Sequence, residues 1–285
     1  MTNLLEATML ICFGLSWPMS LIKNIKALTA VSNAHIHIDL IAGLPFEDLN
    51  SFSNSFNIGF SLNAHVMQLG FLKLLHGAEM RENSKNYPCE FSEEPPYEVI
   101  STPYLNSFDI DLIKACETSL ERLYNSNRFK RLTNYLFNEL KLSPFETLLN
   151  FGLFTGTKSR PLYEYINCIY EFFCNKCDVE VLRDLLLCDL FENVNMEKVP
   201  TLLRREDKLL NRFKHFLESR EEYQKEKGVK RRAFLLYSEQ CGAFVDYRKD
   251  RINEIIKIPC SEFKRKTVFF ISFLKRLRKI LRKDW

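Results

Sequence analysis

The fold is decided by one stretch, His35-Ile36-His37-Ile38-Asp39-Leu40-Ile41-Ala42-Gly43-Leu44-Pro45-Phe46-Glu47. It begins with isoleucine at every second position, becomes continuously apolar at Leu40-Ile41-Ala42, and stops at Gly43 and Pro45. This pattern is typical of a buried parallel strand that runs into a turn and then a helix. We interpret Glu47 and Asp48 as helix-start charges rather than as acid/base groups. Ligand sites in parallel α/β sheets lie at the carboxyl ends of strands, so we expect any small-molecule site here.

The residues on either side extend this unit. The spacing of Leu49, Phe52, Phe56 and Phe60 predicts a helix over 47–60, and 66–75 is predicted as a second strand. A helix between two strands makes them parallel neighbours with a right-handed crossover. Upstream, 21–28 has helical spacing, and the apolar start, 1–19, is interpreted as a partly ordered terminus because it lacks the basic segment of a signal peptide.

The remainder of the chain is predominantly helical in pattern. An irregular stretch, 76–103, is followed by predicted helices over 109–124, 129–140, 143–154, 161–175, 179–191 and 205–222. A polar linker over 225–232 then leads to three short strands, 233–238, 242–247 and 253–258, and to a basic helix over 264–285.

These elements predict an α+β, mostly helical fold, in which a partial (β/α) barrel remnant precedes a helical domain and a small C-terminal β meander. The predicted domains are the remnant at 1–80, an irregular linker at 81–105, the helical domain at 106–224, and the β segment with its basic helix at 225–285.

Composition limits the class of protein and its partners. A formal net charge of +4 over 285 residues is too small to indicate nucleic-acid binding, so no nucleic-acid partner is expected. The nine cysteines are odd in number and irregularly spaced. We therefore expect reduced thiols in a cytoplasmic protein rather than a disulfide framework.

Three motifs together indicate a family. The segments His37–Glu47, Gln68–Gly77 and Pro95–Val99 occur in the order found in radical S-adenosylmethionine proteins, and the chain resembles the C-terminal part of those proteins. The resemblance is to members with an N-terminal cobalamin-binding domain and a C-terminal helical domain of unknown function. It is most specific over 21–136 and fades toward the C-terminus.

The resemblance implies where a cofactor would bind. Ile41 would pack on the adenine of S-adenosylmethionine, Gly43 would allow a close backbone approach, and Gln68 would begin the last barrel strand beside the adenine. For the full-length family it also implies an iron–sulfur cluster and cobalamin. The Cys-x-x-x-Cys-x-x-Cys motif that holds such a cluster is absent here. We therefore expect no catalytic residue, no metal ligand and no cofactor held by this chain alone.

Two other clusters contain residue types that bind metal ions. Cys174-Asn-Lys-Cys177, with Cys168 upstream, is a zinc or redox signature only beside a second pair, so we interpret these residues as helix-end and core cysteines. His35, His37 and Asp39 share one face of a strand, a spacing also found in zinc hydrolases. Too few further ligands follow, and we favour packed strand-edge histidines.

The functional prediction follows from the missing motif. The chain is predicted to be a C-terminal fragment of a radical S-adenosylmethionine protein, inactive alone or dependent on the missing N-terminal half on another polypeptide. The alternative is a non-enzymatic interaction module that uses the helical array and the basic C-terminal helix. For that helix a membrane surface is a conceivable partner, but we favour docking through its Phe/Leu face.

The Pro95-Pro96-Tyr97 loop is predicted to be a rigid connector rather than a ligand rim.

Overall fold

The computed structural model describes residues 5–10, 18–30, 34–194, 199–205, 207–248 and 253–264. The chain divides into two compact units, Met1–Arg160 and Pro161–Trp285. About 50% of the residues are helical, and the described part contains small sheets but no closed barrel. The predicted α+β, mostly helical class is confirmed. The boundaries of the four predicted domains stay a prediction.

The first unit contains a three-stranded parallel sheet. Its strands are β1 (Leu5–Leu10), β2 (Ala34–Ala42) and β3 (Val66–Phe71), in the order β1-β2-β3. Helix α1 (Met19–Thr29) connects β1 to β2, and α2 (Leu49–Phe60) connects β2 to β3. The predicted strand, turn, helix and parallel second strand are confirmed. The sheet has one strand more than expected, since Leu5–Leu10 pairs along β2 instead of forming a loose terminus.

Helix α2 shows why this sequence folds as it does. Asp48 is its N-cap and forms a capping box with Ser51: the Asp48 side chain accepts from the Ser51 N–H at 2.8 Å. The phenylalanines of the predicted stripe are buried, at positions 52, 56 and 60. Both α1 and α2 contact β2. The apolar face of the parallel sheet is therefore covered by its own crossover helices.

The rest of the first unit is a hairpin followed by helices. A short helix, α3 (Glu79–Glu82), and two strands, β4 (Glu90–Phe91) and β5 (Val99–Ser101), lie in the stretch predicted to be irregular. The helices are α4 (Ser107–Ser119), α5 (Lys130–Asn134) and α6 (Pro144–Thr155). Helices α4 and α5 each continue into a π-helical segment, Leu120–Asn125 and Tyr135–Glu139 respectively.

The second unit packs helices against an antiparallel meander. Its helices are α7 (Leu162–Phe173), α8 (Val179–Asn193), α9 (Lys208–Ser219) and the short α10 (Cys260–Phe263). Two 3₁₀ segments, Thr201–Leu203 and Glu221–Tyr223, flank α9. The strands β6 (Lys230–Leu236), β7 (Cys241–Tyr247) and β8 (Ile256–Pro259) pair in that order.

The meander confirms the predicted small β segment, with one correction. Strand β6 begins at Lys230, inside the stretch predicted as linker. The cause is the cross-strand pair of Arg231 with Asp246, in which Nε and Nη2 donate to the two carboxylate oxygens at 2.6 Å each. A bidentate pair of this kind holds a polar strand end in register.

Two predicted features lie partly outside the described residues. They are the apolar start, at residues 1–4 and 11–17, and the basic helix, from residue 265 onward. None of the helices that are described combines the length and apolar character needed to cross a membrane.

Candidate functional site

The two faces of the parallel sheet differ in burial. One face of β2 and β3 is buried throughout, and it carries Ile36, Ile38, Leu40, Ala42, Met67, Leu69 and Phe71. The opposite face is half-buried or exposed, and it carries His35, His37, Asp39, Ile41, Gln68 and Gly70. Parallel sheets are ordinarily covered on both faces. The second face is therefore the surface of this unit on which a ligand or further protein can lie.

A cavity of about 350 Å³ opens on this face. The register of the sheet pairs Asp39 with Gln68 and Ile41 with Gly70, so these four lining residues are immediate neighbours. Lys73 follows just beyond the carboxyl end of β3 and also lines the cavity. The volume lies near the lower end of the range for small-molecule sites.

The structure places two of the three predicted cofactor residues together. Ile41 and Gln68 line the cavity, on adjacent strands. Gly43 is not among the lining residues; it is buried, has φ +92°, and a Cβ placed on it would lie 2.8 Å from Val99 Cγ1. Glycine is thus required here by the backbone conformation and by the packing of Val99. Its close approach to a ligand stays a prediction.

Asp39 gives the cavity an unsatisfied acceptor. Its Oδ1 atom is buried and has no hydrogen-bond partner among the described residues. A buried acceptor without a partner lowers stability by about 1–3 kcal/mol, more when it is charged. A ligand hydroxyl or amine would satisfy it. Sequence reasoning considered Asp39 only as a metal ligand, although a lone carboxylate inside an otherwise apolar strand end is itself a signal.

The two acidic residues after the turn have opposite environments. Asp48 is exposed, and the Ser51 N–H is the main reason why its pKa is lowered. Glu47 is 1% exposed and its Oε2 has no partner among the described residues. Burial, and secondarily the charge of Asp48, raises the pKa of Glu47 to about 8. The helix-start interpretation therefore describes Asp48 and is wrong for Glu47, because Glu47 is buried and uncharged at neutral pH.

Glu47→Gln is expected to change how stability depends on pH. The folded pKa of Glu47 lies above its unfolded value of 4.5, so its contribution is fully present below pH 4.5 and is lost as the pH rises through 8. The variant should therefore gain stability relative to the wild type between pH 5.5 and pH 8.5. Urea unfolding at both pH values measures this difference. Asp48→Asn is the control, since the lowered pKa of Asp48 adds no pH dependence to the free energy of unfolding in that range. If the free energy of unfolding changes equally with pH in the wild type and in Glu47→Gln, Glu47 is not buried as the structure shows.

The turn after β2 contacts the segment that follows the hairpin. Phe46 is exposed with φ +65°, and its ring lies 5.4 Å from that of Tyr104. The Val99 N–H donates to the Leu72 carbonyl, and the Leu74 N–H donates to that of Tyr97. The Pro95-Pro96-Tyr97 loop is thus joined to the extension of β3.

The comparison with protein families gives one match. Residues 85–240, more than half of the chain, match the family described as Protein of unknown function (DUF4080). The chain belongs to the DUF4080 family. No curated protein matches it.

The DUF4080 region and the cavity cover different parts of the chain. The region runs from the segment before β4 through β6, and it contains α4 to α9. The C-terminal helical domain of unknown function implied by the resemblance is confirmed by this match. Ile41, Gly43 and Gln68 precede the matched residues, so the match does not bear on their roles.

The Cys174–Cys177 pair of the DUF4080 protein lies at the end of α7. Cys174 is the C-cap residue of α7, and Cys177 Sγ donates to the Phe173 carbonyl at 3.3 Å. Burial, with the neighbouring Asp178 and Cys174, raises the pKa of Cys177 to about 11, so its thiol is protonated. Within the described ranges, no three His, Cys, Asp or Glu side chains are grouped as metal ligands.

Proposed function

We propose that this DUF4080 protein is a radical S-adenosylmethionine family protein that holds the adenine side of the cofactor. We further propose that it acts in the cytoplasm and requires a second polypeptide that carries the cluster-binding half. The cavity on the open face of the sheet supports this proposal most directly, because it contains Ile41, Gln68 and the unpaired Asp39 oxygen. The DUF4080 domain is itself found in cobalamin-binding radical S-adenosylmethionine proteins.

The lining residues fit S-adenosylmethionine chemically. Ile41 beside Gly70 gives a small apolar surface on which an adenine ring can lie. Asp39 can accept hydrogen bonds from ribose hydroxyls or an ammonium group, and the Gln68 amide can donate and accept. When bound, S-adenosylmethionine would supply the carbon radical of the family's chemistry. The residues of this chain would bind and orient it.

The iron–sulfur cluster does not fit the described residues, since no three thiolates come together there. We therefore assign the cluster, and any chemistry that depends on it, to the second polypeptide. Cobalamin belongs to the same missing part in this proposal, because the resemblance associates it with an N-terminal domain.

The edges of the sheet indicate where that polypeptide would join. At β3 the outer edge is capped at Met67: the Asn125 amide accepts from the Met67 N–H at 3.2 Å and donates to the Met67 carbonyl at 2.9 Å. At the other end of the sheet, β1 pairs only with β2 among the described strands. An unpaired strand edge accepts a further strand. The partner would thus extend the parallel sheet from β1.

The test is equilibrium binding of S-adenosylmethionine to the full chain. We expect measurable binding that Ile41→Asp weakens by about tenfold or more, since about 1.4 kcal/mol of lost contact corresponds to a factor of ten. Asp39→Asn should weaken it as well, because one carboxyl oxygen is replaced by an amide NH₂ group that cannot accept. The matched control is Ile58→Asp, at an exposed isoleucine of α2. Equal binding by Ile41→Asp and wild type contradicts the proposal, as does no binding by folded wild type, which favours the interaction-module alternative.

A further inference from the structure

A second cavity lies at the opposite ends of the same strands. It encloses about 250 Å³ and is lined by His65, just before β3, and by side chains from α5 and both π-helical segments. The first cavity lies toward the carboxyl ends of β2 and β3, whereas this one lies at the amino end of β3. We propose that it binds a small molecule that carries a phosphate group.

The polar lining contains one lysine and several carboxamides but no carboxylate. Lys130 supplies a positive charge, and no ion pair joins it to an acid in the described part of the chain. Four carboxamides accompany it, those of Asn63, Asn127, Asn134 and Asn138. One acid lies nearby: Glu139 accepts from Asn134 Nδ2 at 3.3 Å, but it does not line the cavity. Three of these amides already donate one hydrogen within the protein, Asn127 to the Asn125 carbonyl, Asn134 to Glu139 and Asn138 to Asn134 Oδ1. Each NH₂ group has a second hydrogen, so a lysine with several such amides is complementary to a phosphate, which is acceptor-rich and anionic.

His65 adds a donor of fixed tautomer. Its Nδ1 accepts from the Ile36 N–H at 3.1 Å, so Nε2 carries the proton of the neutral ring. Partial burial lowers the pKa of His65 first, and then His35, His37 and Lys130 lower it further. The ring is therefore neutral at pH 7, and its Nε2–H remains a donor. The phosphate-bearing ligand can therefore bind without protonation of His65.

The backbone around the cavity is unusual for an ordinary helix junction. Asn63 and Asn127 have φ +53° and +56°, in the left-handed region where asparagine is favoured among non-glycine residues. Tyr124 belongs to one π-helical segment and Phe137 to the other. Segments of π-helix are often found at functional sites. Two such segments border this cavity.

An aromatic floor indicates that the ligand also has an organic part. The Phe60 ring lies 4.7 Å from that of Tyr124 and 4.8 Å from that of Phe137. Phe60 and Phe137 are buried, while the asparagines and Lys130 are exposed. A phosphate would contact the exposed donors, and a small apolar or planar group would lie on the aromatic rings. This arrangement favours a phosphomonoester over free phosphate.

The test is titration of the full chain with inorganic phosphate and with phenyl phosphate, at constant ionic strength and pH 7.5. We expect phenyl phosphate to bind more tightly than inorganic phosphate, and acetate to bind at least tenfold more weakly than either. Lys130→Gln should lower the affinity for phenyl phosphate by tenfold or more, and Lys130→Arg should retain most of that affinity. Asn63→Gly should weaken it several-fold, since glycine keeps the positive φ and loses only the amide.

Lys85→Gln, which removes an exposed lysine from outside both cavities, is the control and should leave binding unchanged. Equal effects of Lys130→Gln and Lys85→Gln, equal affinity for acetate, or no saturable binding would each overturn the inference. Added S-adenosylmethionine should not displace phenyl phosphate, because the two cavities are separate. Loss of S-adenosylmethionine binding in Ile41→Asp with phosphate binding intact separates the two proposals.

Discussion

Arg183→Met is expected to lower the free energy of unfolding of the second unit by about 4 kcal/mol. Arg183 is 5% exposed, and its Nη1 donates to Asp184 Oδ1 at 2.8 Å and to the Leu235 carbonyl at 3.1 Å. Its Nε donates to the Leu203 carbonyl at 3.1 Å. Removal of the guanidinium group leaves two buried carbonyls short of a donor and a buried carboxylate without its counter-ion. Burial already raises the pKa of Asp184, which shows how dependent this acid is on its partners.

The double variant Arg183→Met/Asp184→Leu distinguishes an uncompensated charge from lost packing. Replacing both ions should be less damaging than Arg183→Met alone, although Asp184 Oδ2 also accepts from the Ser238 N–H and Oγ–H. Urea unfolding followed by circular dichroism measures the three proteins. Arg204→Met is the control because Arg204 is exposed. A loss below 1 kcal/mol for Arg183→Met, or a double variant worse than the single one, is incompatible with a buried pair.

Gly152→Ala is expected to destabilise the first unit by about 3 kcal/mol. A Cβ at this position would lie 1.9 Å from the Ala115 carbonyl oxygen and 2.9 Å from Ser119 Oγ. Both atoms belong to α4, and the first is backbone, so α4 and α6 must separate to admit the methyl group. In an exposed helix interior the same change stabilises by about 0.5–1 kcal/mol. The sign of the change in the free energy of unfolding therefore shows whether α4 and α6 are in close contact at Gly152.

The matched control is Asn150→Ala, an exposed position of the same helix. It should change the free energy of unfolding by less than about 0.5 kcal/mol. Thermal and urea unfolding of both variants give the comparison. A stability gain in Gly152→Ala would show that α4 and α6 do not approach each other as closely as the structure has them.

Local patterns were sufficient to predict most elements. The change from alternation to a continuous apolar run at Leu40, together with Pro45 and the phenylalanine stripe, carries enough information for β2, its turn and α2. The three strands of the meander were predicted in the same way, from short β-rich runs between polar residues. In each case the signal and the structure depend on neighbours in sequence.

Features that depend on distant contacts were missed. Leu5–Leu10 becomes a strand only because β2 offers a free edge, and its pattern alone is ambiguous for so short an apolar run. The burial of Glu47 was likewise not predicted, because the local sequence does not determine how deeply a turn residue is packed. Strand β6 starts early because Arg231 meets Asp246 from the next strand. Tertiary context decides all three.

The candidate site was predictable in part. Ile41 and Gln68 were identified by the resemblance, and the parallel register does bring their strands together at one cavity. The unpaired oxygen of Asp39 required burial and hydrogen bonding to be known in three dimensions. His65 and Lys130 are 65 residues apart in sequence and carry no shared motif, so only the fold could place them in one cavity.

The central claim is that the open face of the parallel sheet at Ile41 and Gln68 is half of an S-adenosylmethionine site. Amide hydrogen exchange of the full chain, with and without saturating S-adenosylmethionine, tests it most directly. We expect slower exchange confined to residues 39–43 and 68–73, and no such slowing in Ile41→Asp. Exchange that is unchanged in both segments, or slowed only in the second unit, contradicts it.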